Sequence, residues 1–187
     1  MELRWPSEIE LPSYVDALER GWSPNTLDAG AGLVELEAIR HDPKAFLASL
    51  VDREGAGPPI PMPDGMFGQR LPGFRKWMWD GEFCGSIGLR WQPGTEELPP
   101  YVLGHVGYSV VPWKRRLGFA TAAVRAIVSD AAGEGLRWIE ITCDVDNVAS
   151  VGVIVGAGGE FVERFTYHDR VGEGDGCRYR VTVTSRV

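Results

Sequence analysis

One stretch gathers residues whose types and order suit anion binding: Val110-Val111-Pro112-Trp113-Lys114-Arg115-Arg116-Leu117-Gly118-Phe119-Ala120-Thr121. It begins as the end of an apolar strand, turns through a basic loop containing Gly118, and enters a helix with apolar residues at Ala122, Ala123, Ala126, Ile127 and Val128. The first amides of such a helix have no intrahelical acceptor and point outward. The helix dipole adds partial positive charge at the same end, which suits a pyrophosphate. A glycine lets backbone approach a phosphate with no Cβ between them, and Arg115 and Arg116 supply fixed positive charge.

The elements that must position this loop follow from the hydrophobic pattern. Pro12–Arg20, Leu33–Arg40 and a segment capped by Asp42-Pro43 and running through Leu50 read as helices. Residues 55–73 are rich in Gly and Pro and read as an irregular loop. Phe74–Trp79, the turn Asp80-Gly81 and Glu82–Trp91 form a hairpin. Val102–Val111 is a strand, Thr121–Ala132 a long helix, Trp138–Asp144 a strand and Asn147–Val155 a short helix. Glu160–Thr166 and Arg178–Thr184 are final strands around a Gly/Asp-rich loop. The order gives an α+β fold in a single domain, 1–187, with one parallel crossover at its centre.

Composition narrows the function. The formal net charge is −7, with no long basic run, which argues against a nucleic-acid partner. No apolar run approaches the roughly 20 residues of a membrane span. The N-terminus lacks the pattern of a signal peptide, so a cytoplasmic protein is expected. Cys84, Cys143 and Cys177 fit neither a disulfide framework nor a CxxC metal site. His41 and His168 have no partners at metal spacing, so no metal is expected. The loop lacks the Gly-Lys-Ser/Thr ending of a P-loop, which ranks a nucleotide-binding domain last.

The residues resemble the GCN5-related N-acetyltransferase (GNAT) family. Arg115-Arg116-Leu117-Gly118-Phe119-Ala120 matches its Arg/Gln-x-x-Gly-x-Gly/Ala loop, and Asn147-Val148-Ala149-Ser150 matches its Asn followed by a small residue. Thr142-Cys143-Asp144-Val145-Asp146-Asn147 resembles bacterial members. The resemblance covers residues 74–166. It implies a three-layer α/β/α fold whose central sheet is mixed, mostly antiparallel, with one parallel pair splayed apart. It also implies an N-acetyltransferase that moves an acetyl group from acetyl-CoA, as co-substrate, to an amine by direct attack in a ternary complex. The alternative is a non-catalytic acyl-CoA binding or sensing domain.

By that resemblance, Arg115, Arg116, Leu117, Gly118, Phe119, Ala120 and Thr121 hold the pyrophosphate. The edge from Tyr108 through Val110 and Val111 pairs with the pantetheine arm, and Asn147 and Ser150 bond the cofactor. His105 is the first candidate for the base, with Asp144 and Asp146 as alternatives. Against these stand a buried strand role for the histidine and helix capping for the aspartates. Many relatives carry a Tyr seven residues after the Asn. Here Ile154 stands there, so Tyr108, Cys143 or water must supply the proton. Arg75 and Arg90 are candidates for an acceptor carboxylate, and Trp77, Trp79 and Trp91 for a pocket wall or a packed face. The acceptor is a small-molecule or peptide amine, and a homodimer is left open as an assembly.

Overall fold

The computed structural model describes residues 1–25, 28–62, 65–169 and 172–183. Its centre is a seam between two antiparallel sheets. The first has the order β1 (Glu2–Arg4), β5 (Gly73–Trp79), β6 (Phe83–Arg90), β7 (Val106–Val110), with β2 (Val51–Asp52) also paired to β5. The second has the order β8 (Trp138–Asp144), β10 (Gly172–Thr182), β9 (Glu160–Asp169). Strand alternation divides the side chains of the first sheet between two cores. Trp77 packs with Tyr14, Trp22 and Phe46 beneath helices α1 (Leu11–Glu19), α2 (Ala31–His41) and α3 (Pro43–Ser49). Phe74 and Met78 face the other way, toward helix α4 (Phe119–Gly133), whose Ala123, Val124, Ile127 and Ala131 form one buried stripe. Helix α5 (Val148–Gly156) joins the α4 layer through Ile154. These are the three layers expected.

Local chemistry explains most boundaries. Pro12 occupies the first turn of α1. Asp42 caps α3, accepting from the Lys44 and Ala45 amides. The hairpin turn is longer than a two-residue Asp-Gly turn. Trp79 pairs with Phe83, so Asp80, Gly81 and Glu82 lie in the loop, and a bulge falls beside Trp79. In that turn Gly81 has the positive φ, 110°.

Three further expectations shift. Residues 102–105 are not strand, because the Gly104 carbonyl accepts from Arg90 Nε and the His105 amide turns to Glu140. The Gly/Asp-rich segment is strand, with Gly176 opposite Phe165 and Gly174 opposite Tyr167; Thr184 lies outside the described residues. The 55–73 segment carries a short pair, β3 (Ile60–Pro61) with β4 (Phe67–Gly68), and is tied down by Tyr101 Oη donating to the Gln69 carbonyl.

Candidate active site

The seam is made by His105. Its amide donates to the Glu140 carbonyl at 2.7 Å, and its Nδ1 accepts the Glu140 amide at 3.0 Å. In a parallel ladder that amide would meet a backbone carbonyl. The imidazole takes it instead, and β7 and β8 diverge from this point without forming a ladder. The two strands still run in the same direction, since His105 meets Glu140 and Tyr108 lies beside Cys143. On its other edge β7 is fully paired with β6, with Ser109 opposite Ser86 and the Val111 amide bonded to Cys84. Alternate residues therefore turn their backbone groups to the gap. Those residues are Tyr108 and Val110, and the Val110 carbonyl takes Arg115 Nε at 3.3 Å.

Beyond Val111 the chain passes through a 3-10 turn, Pro112–Lys114, into the loop. Trp113 packs against the α1–α3 core, and the Arg20 guanidinium lies 3.4 Å over its ring, fixing the loop to α1. Lys114 turns away from the loop to Asp80 and Glu82, and these partners raise its pKa. Arg116 (φ 66°) and Gly118 (φ 78°) are left-handed. Gly118 is the N-cap of α4 and no side chain caps that helix. No atom lies within 4 Å of where a Gly118 Cβ would be. The first-turn amides of a fifteen-residue helix thus face open space beside exposed Arg115 and Arg116, an arrangement that fits a pyrophosphate.

The gap has two differently furnished sides. Toward α5, Tyr108 Oη and Ser150 Oγ are 2.7 Å apart, next to Cys143. Burial pushes the Tyr108 phenol up to about 12. Asn147 caps α5 by accepting the Ser150 amide at 3.0 Å, which orients that serine. Burial also raises the Cys143 thiol, and no basic group contributes to that shift. Toward α1–α2, Ser109 is held by Trp22 Nε1 at 3.0 Å and donates to the Ser23 carbonyl. On that side β8, β9 and β10 present Thr142, Asp144, Glu163, Tyr167, Arg178 and Arg180, each half-buried or exposed.

His105, the first candidate for the base, has no exposed surface and burial lowers its pKa to about 4. Its ring serves the seam rather than meeting an amine. Asp144 and Asp146 do not cap α5 with their side chains; Asn147 does. Arg75 is committed to Glu35 and Tyr14, fixing α1 and α2 to β5. Arg90 has no carboxylate partner among the described residues. Trp77 and Trp79 belong to the α1–α3 core and Trp91 to the α4 core, so these three are packing residues. Cys84 and Cys177 are buried. The side chain of His168 lies outside the described residues. No group of His, Cys, Asp and Glu that could hold a metal occurs among the described residues, and no helix there is long and apolar enough to cross a membrane. No sequence motif marks Tyr167, yet it reaches Asp144; Gly174 opposite it, between Gly172 and Gly176 on the same strand, is the available signal.

A family model for the acetyltransferase (GNAT) domain matches residues 66–160. The fold and loop therefore define an acyl-CoA-dependent N-acetyltransferase, and the chain belongs to the GNAT acetyltransferase family. No curated protein matches it in sequence. Among solved structures it is similar to the Salmonella typhimurium acetyltransferase that modifies the N-terminal serine of ribosomal protein L7/L12. The identity is 13%, the TM-score 0.63, and the match covers 97% of this chain and 94% of that one. It is also similar to RimL, an L7/L12 α-N-protein acetyltransferase in complex with coenzyme A (14% identity, TM-score 0.60, 97% and 93% covered). A third is RimJ of Mycobacterium smegmatis with a CoA disulfide (16%, 0.60, 96% and 80%). At these identities the likeness is one of fold.

Proposed function

We propose that the protein acetylates the α-amine of a peptide, using acetyl-CoA, by direct attack in a ternary complex. The observation that carries this reading is the β7 edge unpaired with β8, followed through the Pro112–Lys114 turn by the uncapped first turn of α4. The pyrophosphate would lie on the amides from Arg116 to Thr121. The pantetheine amides would bond the Tyr108–Val110 edge as an added strand, and the thioester would enter the gap. The Val110 amide would polarise its carbonyl. The Tyr108–Ser150 hydroxyl pair would protonate the leaving thiolate in place of the residue at Ile154.

The choice of an α-amine rests on the base. His105 is buried and its unprotonated nitrogen, Nδ1, is occupied by the Glu140 amide, so it offers no proton acceptor to an amine. An α-amine, with a free pKa of about 7.7–8.0, is neutral in roughly one molecule in ten at pH 7, and a lysine amine in fewer than about one in a thousand. An enzyme that leans on positioning therefore gains most from the α-amine. The Salmonella relative is described as acting on an N-terminal serine, which accords with this reading.

The open side carries charges of both signs. Arg178 and Arg180 share Glu140, and Arg178 also pairs with Glu163. Arg90 adds a third guanidinium, 3.9 Å from where a Gly107 Cβ would be. With Asp144, Glu140 and Glu163, three carboxylates stand against these three guanidiniums, so the open side imposes no net charge on the peptide. The test is thiol release from acetyl-CoA across free peptides, N-blocked peptides and lysine side-chain amines. Turnover of free peptides alone supports the reading. Equal turnover of lysine side chains defeats the α-amine assignment, and thiol release with no acceptor defeats acetyl transfer to amines.

A further inference from the structure

We propose that Asp144 receives the acceptor's ammonium group and that Tyr167 is the positioning residue that holds it there. This rests on the amine acetylation above and concerns a contact that spans three strands. Asp144 ends β8 where the gap is open, and strand alternation separates it from Cys143. Cys143 faces the Tyr108–Ser150 pair, on the donor side. Asp144 turns to the opposite face, where Tyr167 of the β9–β10 hairpin meets it, so one dipeptide furnishes both sides of the gap.

Tyr167 is on β9, and β10 lies between it and β8. Its Oη nevertheless donates to Asp144 Oδ1 at 2.5 Å. The ring can cross because β10 carries glycine at the crossing. A Cβ on Gly174 would sit 2.6 Å from Tyr167 Oη, and one on Gly176 would sit 2.8 Å from Phe165 Cζ. Alternating glycines weaken a strand, so their usual purpose is close approach. Here they let two aromatic rings come close against the strand. The result is a carboxylate fixed through one oxygen, with no cationic partner among the described residues. The other oxygen is available to an ammonium.

The proton balance is complete. The ammonium donates to Asp144, and its proton passes by way of that carboxylate to water. The freed lone pair attacks the thioester carbonyl, forming the C–N bond. The C–S bond then breaks, the nitrogen gives its second proton to water, and the thiolate takes a proton from the Tyr108–Ser150 pair, which water replenishes. Ammonium and thioester become amide, thiol and one released proton.

The test measures acetylation of a short peptide with a free N-terminus, at saturating acetyl-CoA, in four proteins: wild type, Tyr167→Phe, Asp144→Asn and the double variant. Gly174→Ala is a fifth, which displaces the Tyr167 ring without removing its hydroxyl. Tyr167→Phe and Gly174→Ala should each raise KM for the peptide by about tenfold, the value of one charge-assisted hydrogen bond, with acetyl-CoA affinity unchanged. In the Asp144→Asn background Tyr167→Phe should add nothing. The desamino peptide, a competitive inhibitor without the ammonium, should bind wild type and Tyr167→Phe equally. A Tyr167→Phe defect that persists in Asp144→Asn, or that extends to the desamino peptide, overturns the proposal. Wild-type protein that binds acetyl-CoA but acetylates no free amine would instead remove the function on which it rests.

Discussion

His105 grips both backbone groups of Glu140, donating its amide to the Glu140 carbonyl at 2.7 Å and accepting the Glu140 amide on Nδ1 at 3.0 Å. The bond to Nδ1 requires a ring nitrogen that carries no proton, and the ring is buried. Protonation therefore costs both a hydrogen bond and the solvation of a charge.

That cost sets a pH dependence of stability. Burial lowers the folded pKa of His105 to about 4, below its ordinary 6.5. The unfolded chain binds the proton first, so the contribution is complete above about pH 6.5 and falls as pH drops toward 4. Its size is on the order of 3 kcal/mol. Thermal unfolding between pH 4 and 7 should show a steeper acid loss for the wild type than for His105→Gln, which keeps an acceptor and does not titrate. Parallel curves would contradict this account.

Gly118 controls the donor site. Its φ of 78° disfavours any other residue, and the space beyond its Cα is open. Gly118→Ala should cost about 1 kcal/mol of stability and leave most acetyl-CoA affinity. Gly118→Trp should lower acetyl-CoA affinity by about a hundredfold or more, the loss of at least two charge-assisted bonds to phosphate. Calorimetric titration measures both. Unchanged affinity in a folded Gly118→Trp protein would move the pyrophosphate elsewhere.

The loop and the start of α4 were legible in the sequence because their signals are local. Gly118, the arginines before it and the apolar stripe of α4 lie within one contiguous stretch, and Asn147 and Ser150 follow at short range. Hairpin, caps and crossover were legible for the same reason. Residues that act across strands were not. His105 reads as a titrating strand residue until Glu140 is seen to occupy its Nδ1, and Arg75 reads as a free cation until α2 brings Glu35 to it. Tyr167 and Asp144 are 23 positions apart, and only the register of β10 puts glycine between them. The Gly/Asp-rich segment reads as a loop because strand preference disfavours it, and aromatic cover from Phe165 and Tyr167 overrides that preference.

Tyr108→Phe separates chemistry from binding. The phenol is protonated throughout the working range, since burial holds it up to about 12. Its removal takes one hydroxyl from the Tyr108–Ser150 pair and leaves the β7 backbone edge intact. The expected result is a fall in kcat of about a hundredfold, the lower end for a general acid, with acetyl-CoA affinity nearly unchanged. Steady-state kinetics with calorimetry reads the split. An equal loss in affinity would make Tyr108 a binding residue only.

The wall facing the acceptor depends on Arg75. Its guanidinium donates to Glu35 at 2.8 Å and to Tyr14 Oη at 3.3 Å, while Tyr14 stacks on Trp77 at 4.7 Å. Tyr14 also donates to Glu35, so three polar groups from α1, α2 and β5 close on one another within an aromatic core. Arg75→Met leaves the Glu35 carboxylate with a single donor in a half-desolvated position. It should cost about 2 kcal/mol, below the loss for a fully buried pair because both partners keep some exposure. Adding Glu35→Leu removes the stranded charge, so the double variant should recover part of that loss. Urea unfolding measures both. If the double variant were the less stable of the two, net attraction rather than the penalty of an unpaired carboxylate would dominate the triad. Acceptor KM should rise in the single variant along with the instability, because α2 and the segment from Trp22 to Ser23 rest on the same core.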